Sequence, residues 1–108
     1  MAITPVAQFA ALADATRCRV VELLQERPRP VHELAAAFEI SRPAISRHLR
    51  VLKDAELVRE EKRGRENVYA LDAARLAGVG RWFMRLPAAK SAHAKAVEDG
   101  PDLFSSLL

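Results

Sequence analysis

Ser41-Arg-Pro-Ala-Ile-Ser-Arg-His-Leu-Arg-Val-Leu-Lys53 is the stretch whose reading decides the fold. Ile45, Leu49 and Leu52 fall at i, i+4 and i+7, one apolar stripe of a helix that can run to about Asp54. Ser41 suits the N-cap, where its hydroxyl accepts from a free first-turn N–H. Pro43 sits inside that turn, where no intrahelical donor is lost. The same spacing puts Pro43, Arg47 and Arg50 on roughly the opposite side, flanked by Ala44 and Ser46. Residues 41–53 hold Arg42, Arg47, Arg50 and Lys53 and no acid, a local charge of +4.

Before this helix, Val31-His-Glu-Leu-Ala-Ala-Ala37 predicts a short helix and Phe38-Glu-Ile40 a brief connector. A short helix, a tight turn and a capped second helix with a basic outer face describe a helix-turn-helix, whose second helix would enter a major groove. Further back, Asp14 caps a helix carrying Val20, Leu23 and Leu24 inward. It ends before Arg27-Pro28-Arg29-Pro30, since a residue before proline avoids the helical region, and the two prolines mark a turn. Thr4 as N-cap and Pro5 at the first helical position would open the first helix, with Val6, Phe9 and Leu12 facing inward.

Beyond Asp54, the segments Leu57–Arg63 and Asn67–Leu71 bracket Gly64-Arg65 and read as two strands joined by a glycine-containing hairpin, a wing. The charged run in the first strand predicts an exposed ribbon with little core contact, while Tyr69 and Leu71 share one face of the second. Asp72 then caps a final helix in which Leu76, Val79, Trp82, Phe83 and Leu86 form a wide apolar stripe ending at Pro87. The expected fold is mainly α with a small β-hairpin, a winged helix-turn-helix in the order α-α-α-α-β-β-α. Residues 1–87 would form the DNA-binding and dimerisation domain. Residues 88–108 would form a helical extension and mobile tail, with Leu103-Phe104 and Leu107-Leu108 able to dock.

At 108 residues the chain has room for one domain. Its single cysteine, Cys18, leaves no disulfide framework and makes a reducing cytoplasm the default. Between Arg17 and Arg19 that thiol reads either as reactive or as a small half-buried apolar residue. No basic leader precedes an apolar stretch, and no apolar run approaches the ~20 residues of a membrane span, so neither export nor insertion is expected. The net charge of +3 favours a polyanionic partner. The excess sits in the middle: residues 1–40 carry −1, residues 41–70 carry +3 and residues 71–108 carry +1.

Taken together, these residues resemble the ArsR/SmtB family of bacterial winged helix-turn-helix repressors. The resemblance covers roughly residues 6–86. It runs through Leu12-Ala-Asp-Ala-Thr-Arg17 with Val-Val-Glu-Leu-Leu24, then Ser41 to Val58, then Gly64-Arg-Glu-Asn-Val-Tyr-Ala-Leu-Asp72. It implies a homodimer built mainly from the first and last helices, which sits on a promoter and leaves when a signal arrives. It also implies that Arg42, Ala44, Ser46, Arg47 and His48 approach base edges, with Arg63 and Arg65 at the neighbouring minor groove or backbone. Arg47 and Arg50 have the donors for guanine or phosphate, and Ser41 and Ser46 can bond either. His48, at the margin of the inner stripe, could equally bond within the fold. Val6, Phe9, Leu76, Val79, Trp82, Phe83 and Leu86 are the expected dimer contacts.

Members of the family sense thiophilic metals through cysteine pairs on the third helix, or zinc-type metals through ligands on the last. Here Ala35-Ala36-Ala37 follows Glu33-Leu34, so the paired thiolates are missing. Asp72, His93, Glu98 and Asp99 offer donors without a histidine pair at ligand spacing. No metal and no cofactor is expected. An enzyme is disfavoured too, for there is no glycine-rich phosphate loop and no nucleophile with a histidine beside it. The expected function is a dimeric, sequence-specific transcriptional repressor on an inverted-repeat operator of double-stranded DNA, without a membrane role. Its inducer or protein partner is not identified by the residues. A winged-helix protein-interaction module and a metal-responsive repressor with an atypical site stay open beside it.

Overall fold

Three polar side chains start three of the helices. Asp14 accepts from the backbone N–H of Arg17 at 3.0 Å, Ser41 Oγ from that of Ala44 at 3.2 Å, and Asp72 from that of Arg75 at 3.0 Å. The computed structural model describes residues 4–87. Over this span the elements are α1 (Val6–Leu12), α2 (Ala15–Glu26), β1 (Arg29–Pro30), α3 (Val31–Phe38), α4 (Arg42–Asp54), β2 (Val58–Arg63), β3 (Glu66–Leu71) and α5 (Ala73–Arg85). The tail expected over 88–108 lies outside the described residues.

The opening of α1 differs from expectation. Pro5, not Thr4, is the N-cap, and no side chain caps the helix. With φ −81° and ψ 60°, Pro5 is the centre of an inverse γ-turn, in which the Thr4 carbonyl accepts from Val6 N–H at 2.8 Å. The turn uses the Thr4 carbonyl, and the Thr4 hydroxyl is not drawn into capping.

The prolines after α2 do more than punctuate. Arg29 and Pro30 pair antiparallel with Tyr69 and Val68, so the sheet has three strands in the order β1-β3-β2 where two were expected. A residue before proline is held extended, which is the backbone a strand needs. Pro30 loses no ladder donor at an edge. Arg29 locks the segment, donating to Leu23 O at 3.1 Å and reaching Glu33 and Glu26, each at 3.3 Å. The last turn of α3 includes Phe38, and Glu39 ends it in the left-handed region at φ 54°, so the connector to α4 is shorter than expected.

Ile45, Leu49 and Leu52 are fully buried with Val20, Leu34 and Leu57, which confirms the stripe of α4 as the centre of the core. Burying such side chains stabilises by about 1.5–3 kcal/mol each. Gln8 Nε2 on α1 donates to Ala55 O at 2.7 Å and so fastens α1 to the far end of α4. In the hairpin Arg63 opposes Glu66, which leaves a two-residue loop. Of its two residues only Gly64 has positive φ, +63°, the signature of a type II′ turn whose twist suits the flanking strands. The first strand is less detached than expected at its root, where Val58 is buried, whereas the tip from Glu61 onward is exposed.

Candidate nucleic-acid interface and apolar face

Because Ile45, Leu49 and Leu52 face the core, α4 must show its other side to solvent. Arg42, Arg47 and Arg50 stand there exposed, and among the described residues their guanidinium groups make no hydrogen bond or ion pair. Ser46 is exposed beside them and Ala44 is half-buried. Ser41 is exposed, with its Oγ already engaged as the cap.

Lys53 leaves this set. Its Nζ lies 2.8 Å from Glu60 Oε1, and Glu60 Oε2 accepts from Tyr69 Oη, also at 2.8 Å. The local +4 counted from sequence is therefore +3 toward solvent, since one cation is answered by the wing. The Lys53 hydrogen bond, and after it that of Tyr69, holds the Glu60 carboxyl below its usual range. Burial, followed by the Glu60 carboxylate, pushes the Tyr69 hydroxyl up to about 12.

His48 does not stand with the arginines. It is half-buried, with Nδ1 3.2 Å from Arg17 Nη1 and 3.8 Å from Asp14 Oδ2. A guanidinium only donates, so Nδ1 accepts and the ring proton belongs on Nε2. Arg17 also donates from Nε to Ala11 O at 2.6 Å. One side chain thus joins the end of α1 to the middle of α4. The reading of His48 as bonded within the fold describes this placement, with an arginine as partner instead of a carbonyl. Sequence reasoning missed Arg17, and the only local signal was a cation three residues after the cap Asp14.

On the wing, Arg65 occupies the turn without a partner among the described residues, and Arg63 is 3.3 Å from Glu61, both exposed. Lys62, not singled out from sequence, shares the strand face of Glu60, the face turned toward Lys53. Cys18 is exposed, with Sγ 2.9 Å from Leu12 O, so the half-buried alternative does not hold.

The second surface lies across α1 and α5. Phe9, Trp82 and Phe83 pack edge to face, with ring centroids 5.1 to 5.5 Å apart. Around them Val6, Phe83 and Leu86 are 65%, 57% and 45% exposed. Contiguous exposed apolar surface of this kind marks an interaction site. Two expected members do not reach it. Val79 is 6% exposed and Leu76 packs against the core, so both are used within their own chain. The stripe is wider than one surface, and its near edge meets the core before its far edge meets solvent. Among the described residues no group of three or more histidines, cysteines or carboxylates could hold a metal ion, and Asp72 serves as a cap. His93, Glu98 and Asp99 lie outside the described residues. No described helix is long and apolar enough to cross a membrane.

This arrangement has known counterparts. The family described as "Bacterial regulatory protein, arsR family" matches residues 14–60. The HTH-type transcriptional regulator Rv2034 of Mycobacterium tuberculosis is 46% identical over 76 residues, which are 70% of this chain and 71% of that protein. The transcriptional repressor SdpR of Bacillus subtilis is 33% identical over 70% of this chain and 84% of its own. Among solved structures, one described as a possible transcriptional regulator for arsenical resistance superposes with a TM-score of 0.73 at 39% identity, covering 87% of this chain and 96% of that one. The homodimeric winged helix-turn-helix DNA-binding domain of Mb0332 from Mycobacterium bovis gives 0.62 at 27% identity, over 73% of this chain and 76% of that one. These are regulators and not enzymes. With α3 and α4 as its helix-turn-helix and β2 and β3 as its wing, this chain belongs to the ArsR family of bacterial transcriptional regulators.

Proposed function

We propose that this chain is a homodimeric, sequence-specific repressor that binds an inverted-repeat operator. The observation that carries this is the set of three exposed arginines, unpaired among the described residues, on the solvent side of α4, opposite three fully buried aliphatic residues. Arg42, Ala44, Ser46 and Arg47 approach base edges. Arg50 and Ser41 meet phosphates, and Arg63 and Arg65 carry the wing to the adjacent groove or backbone. His48 supports from behind. Val6, Phe9, Trp82, Phe83 and Leu86 form the two-fold contact, which sets the paired α4 helices in major grooves about 34–36 Å apart. That pairing makes residues 1–87 one DNA-binding and dimerisation unit, working in the cytoplasm on the chromosome. SdpR, named a repressor, and the homodimeric Mb0332 domain support the reading.

The test is affinity for the DNA upstream of the chain's own gene, measured against salt and against random duplex. A steep log–log slope and a preference for the promoter are expected. A flat slope, or equal affinity for both duplexes, would end the proposal. Arg47→Ala should cost about 1–3 kcal/mol on the operator if Arg47 reads a base.

A further inference from the structure

Among the described residues, three side-chain hydrogen bonds join α4 and its C-cap to other elements. Two act at the C-terminal end, where Gln8 donates to Ala55 O and Lys53 to Glu60. The third acts in the middle turn, where Arg17 Nη1 donates to His48 Nδ1 at 3.2 Å, between Arg47 and Arg50 in the chain. Ile45, Leu49 and Leu52 set how deep the helix sits, but apolar contact is non-directional and leaves the roll about its own axis to directional bonds. Arg17 supplies the central one.

Arg17 is not free to follow the ring. The last carbonyls of a helix have no partner within it, and Arg17 Nε donates to that of Ala11 in α1 at 2.6 Å. A guanidinium is a rigid planar fork, so fixing Nε also fixes where Nη1 points. It has donors only, and His48 meets it through Nδ1 only while that nitrogen carries no proton. A proton there sets donor against donor. Asp14 Oδ2 then stands 3.8 Å away, already accepting from Arg17 N–H as the cap of α2, so a protonated ring is drawn off Arg17 toward the start of α2. The other charges around α4 are engaged or lie at the wing. Helix α1 has none, and on α2 Arg19 pairs with Glu22 and Glu26 with Arg29. On α3, His32 meets Glu66, and Glu33 meets Arg27 and Arg29. Strand β2 turns Glu60 and Lys62 toward the helix, with Glu60 held by Lys53 and Tyr69 and Lys62 exposed.

From this geometry we infer that Arg17 is a positioning residue for DNA recognition: through a neutral His48 it sets the roll of α4, and so the aim of Arg47 and Arg50. The positioning role rests on the DNA-binding reading above; the tautomer of His48 does not. Two measurements on the full chain test it. Without DNA, at about pH 8, the ring nitrogen shifts of His48 in NMR, identified by their loss in His48→Asn, show Nε2 protonated and Nδ1 accepting. A proton on Nδ1, or unchanged ring shifts in Arg17→Ala, would overturn the contact. With promoter DNA, affinity falls about fivefold or more from about pH 8 to about pH 5.5, the range in which imidazoles gain a proton. His48→Ala weakens binding at both values. His48→Asn, whose Oδ1 takes the place of Nδ1 and binds no proton, restores it and removes the fall. Arg17→Lys, which keeps the charge and loses the fork, does not restore what Arg17→Ala loses. Affinity that rises on acidification, as a direct cationic contact of His48 with phosphate would give, would overturn the positioning role. So would the full fall surviving in His48→Asn, or wild-type affinity in Arg17→Lys. The NMR measurement needs no DNA, so its failure is distinct from failure of the chain to prefer its promoter.

Discussion

Lys53 Nζ and Glu60 Oε1 stand 2.8 Å apart and tie the last turn of the recognition helix to the first strand of the wing. Lys53 is half-exposed, so the pair adds little to stability, about 0–1 kcal/mol at such sites. Its consequence is for the proposed DNA binding, because it answers one cation of α4 with an acid of the wing and ties the wing to the helix. Arg47→Ala or Arg50→Ala should lower the slope of log affinity against log salt by about 0.9 for each phosphate that the arginine neutralises. Lys53→Ala should change it by clearly less. Glu60→Gln should release Lys53 and strengthen binding to random duplex. Fluorescence anisotropy over a salt series reads all of these, and a Lys53→Ala slope change equal to that of Arg50→Ala would mean that the ion pair opens on DNA.

Tyr69 is the sole tyrosine, so phenolate absorbance reports it alone. Its hydroxyl should titrate near about 12 in the folded chain, against about 10 when unfolded. A raised acid favours the folded state below its unfolded value. That contribution is whole below about pH 10 and is lost as pH climbs toward about 12. Denaturant midpoints should therefore fall over this alkaline window, and the fall should flatten in Tyr69→Phe. A titration midpoint near 10 for the folded protein would refute the buried Tyr69–Glu60 bond.

Asp14 caps α2 and faces His48. The backbone N–H of Arg17 is the chief cause that holds its carboxyl below the ordinary 3.8, with the Arg17 charge contributing. A lowered acid stabilises the fold above its unfolded value, and the gain is lost as pH falls through the folded one. Asp14→Ala should cost about 1 kcal/mol at neutral pH. Asp14→Asn should keep most of the cap and remove this part of the acid-side loss, as urea melts at neutral and acid pH would show.

Phe83 and Val79, both expected at the dimer contact, should separate by experiment. Phe83 is largely exposed, so Phe83→Asp should shift sedimentation to the monomer with little change in melting temperature of the protomer. Val79 is spent inside its own chain, and Val79→Ala should cost roughly 1.5 kcal/mol, two methyl groups' worth, while the dimer persists. Dimer loss in Val79→Ala without a stability change would reverse this division.

Much of the architecture was legible because its signals are local. A cap, a 3.6-residue stripe and a glycine in a two-residue turn are each contained within a few positions, so Ser41, Asp14, Asp72, the Ile45–Leu52 stripe and Gly64 could be placed before any tertiary contact was known. Arg29-Pro30 shows the limit. Its extended backbone was readable, but its partner β3 lies some forty residues on, and nothing at positions 28–30 announces that strand.

The site divides in the same way. That α4 has a buried side and an arginine side follows from the sequence alone, since side-chain spacing on a helix is set by its own geometry. Which cations face outward was decided only by tertiary structure. Glu60 reaches Lys53 across a turn, Arg17 reaches His48 over 31 positions, and the core takes Val79 away from the surface. Each of these depends on how closely separate segments approach, and pairing across space is not encoded in the period of either segment.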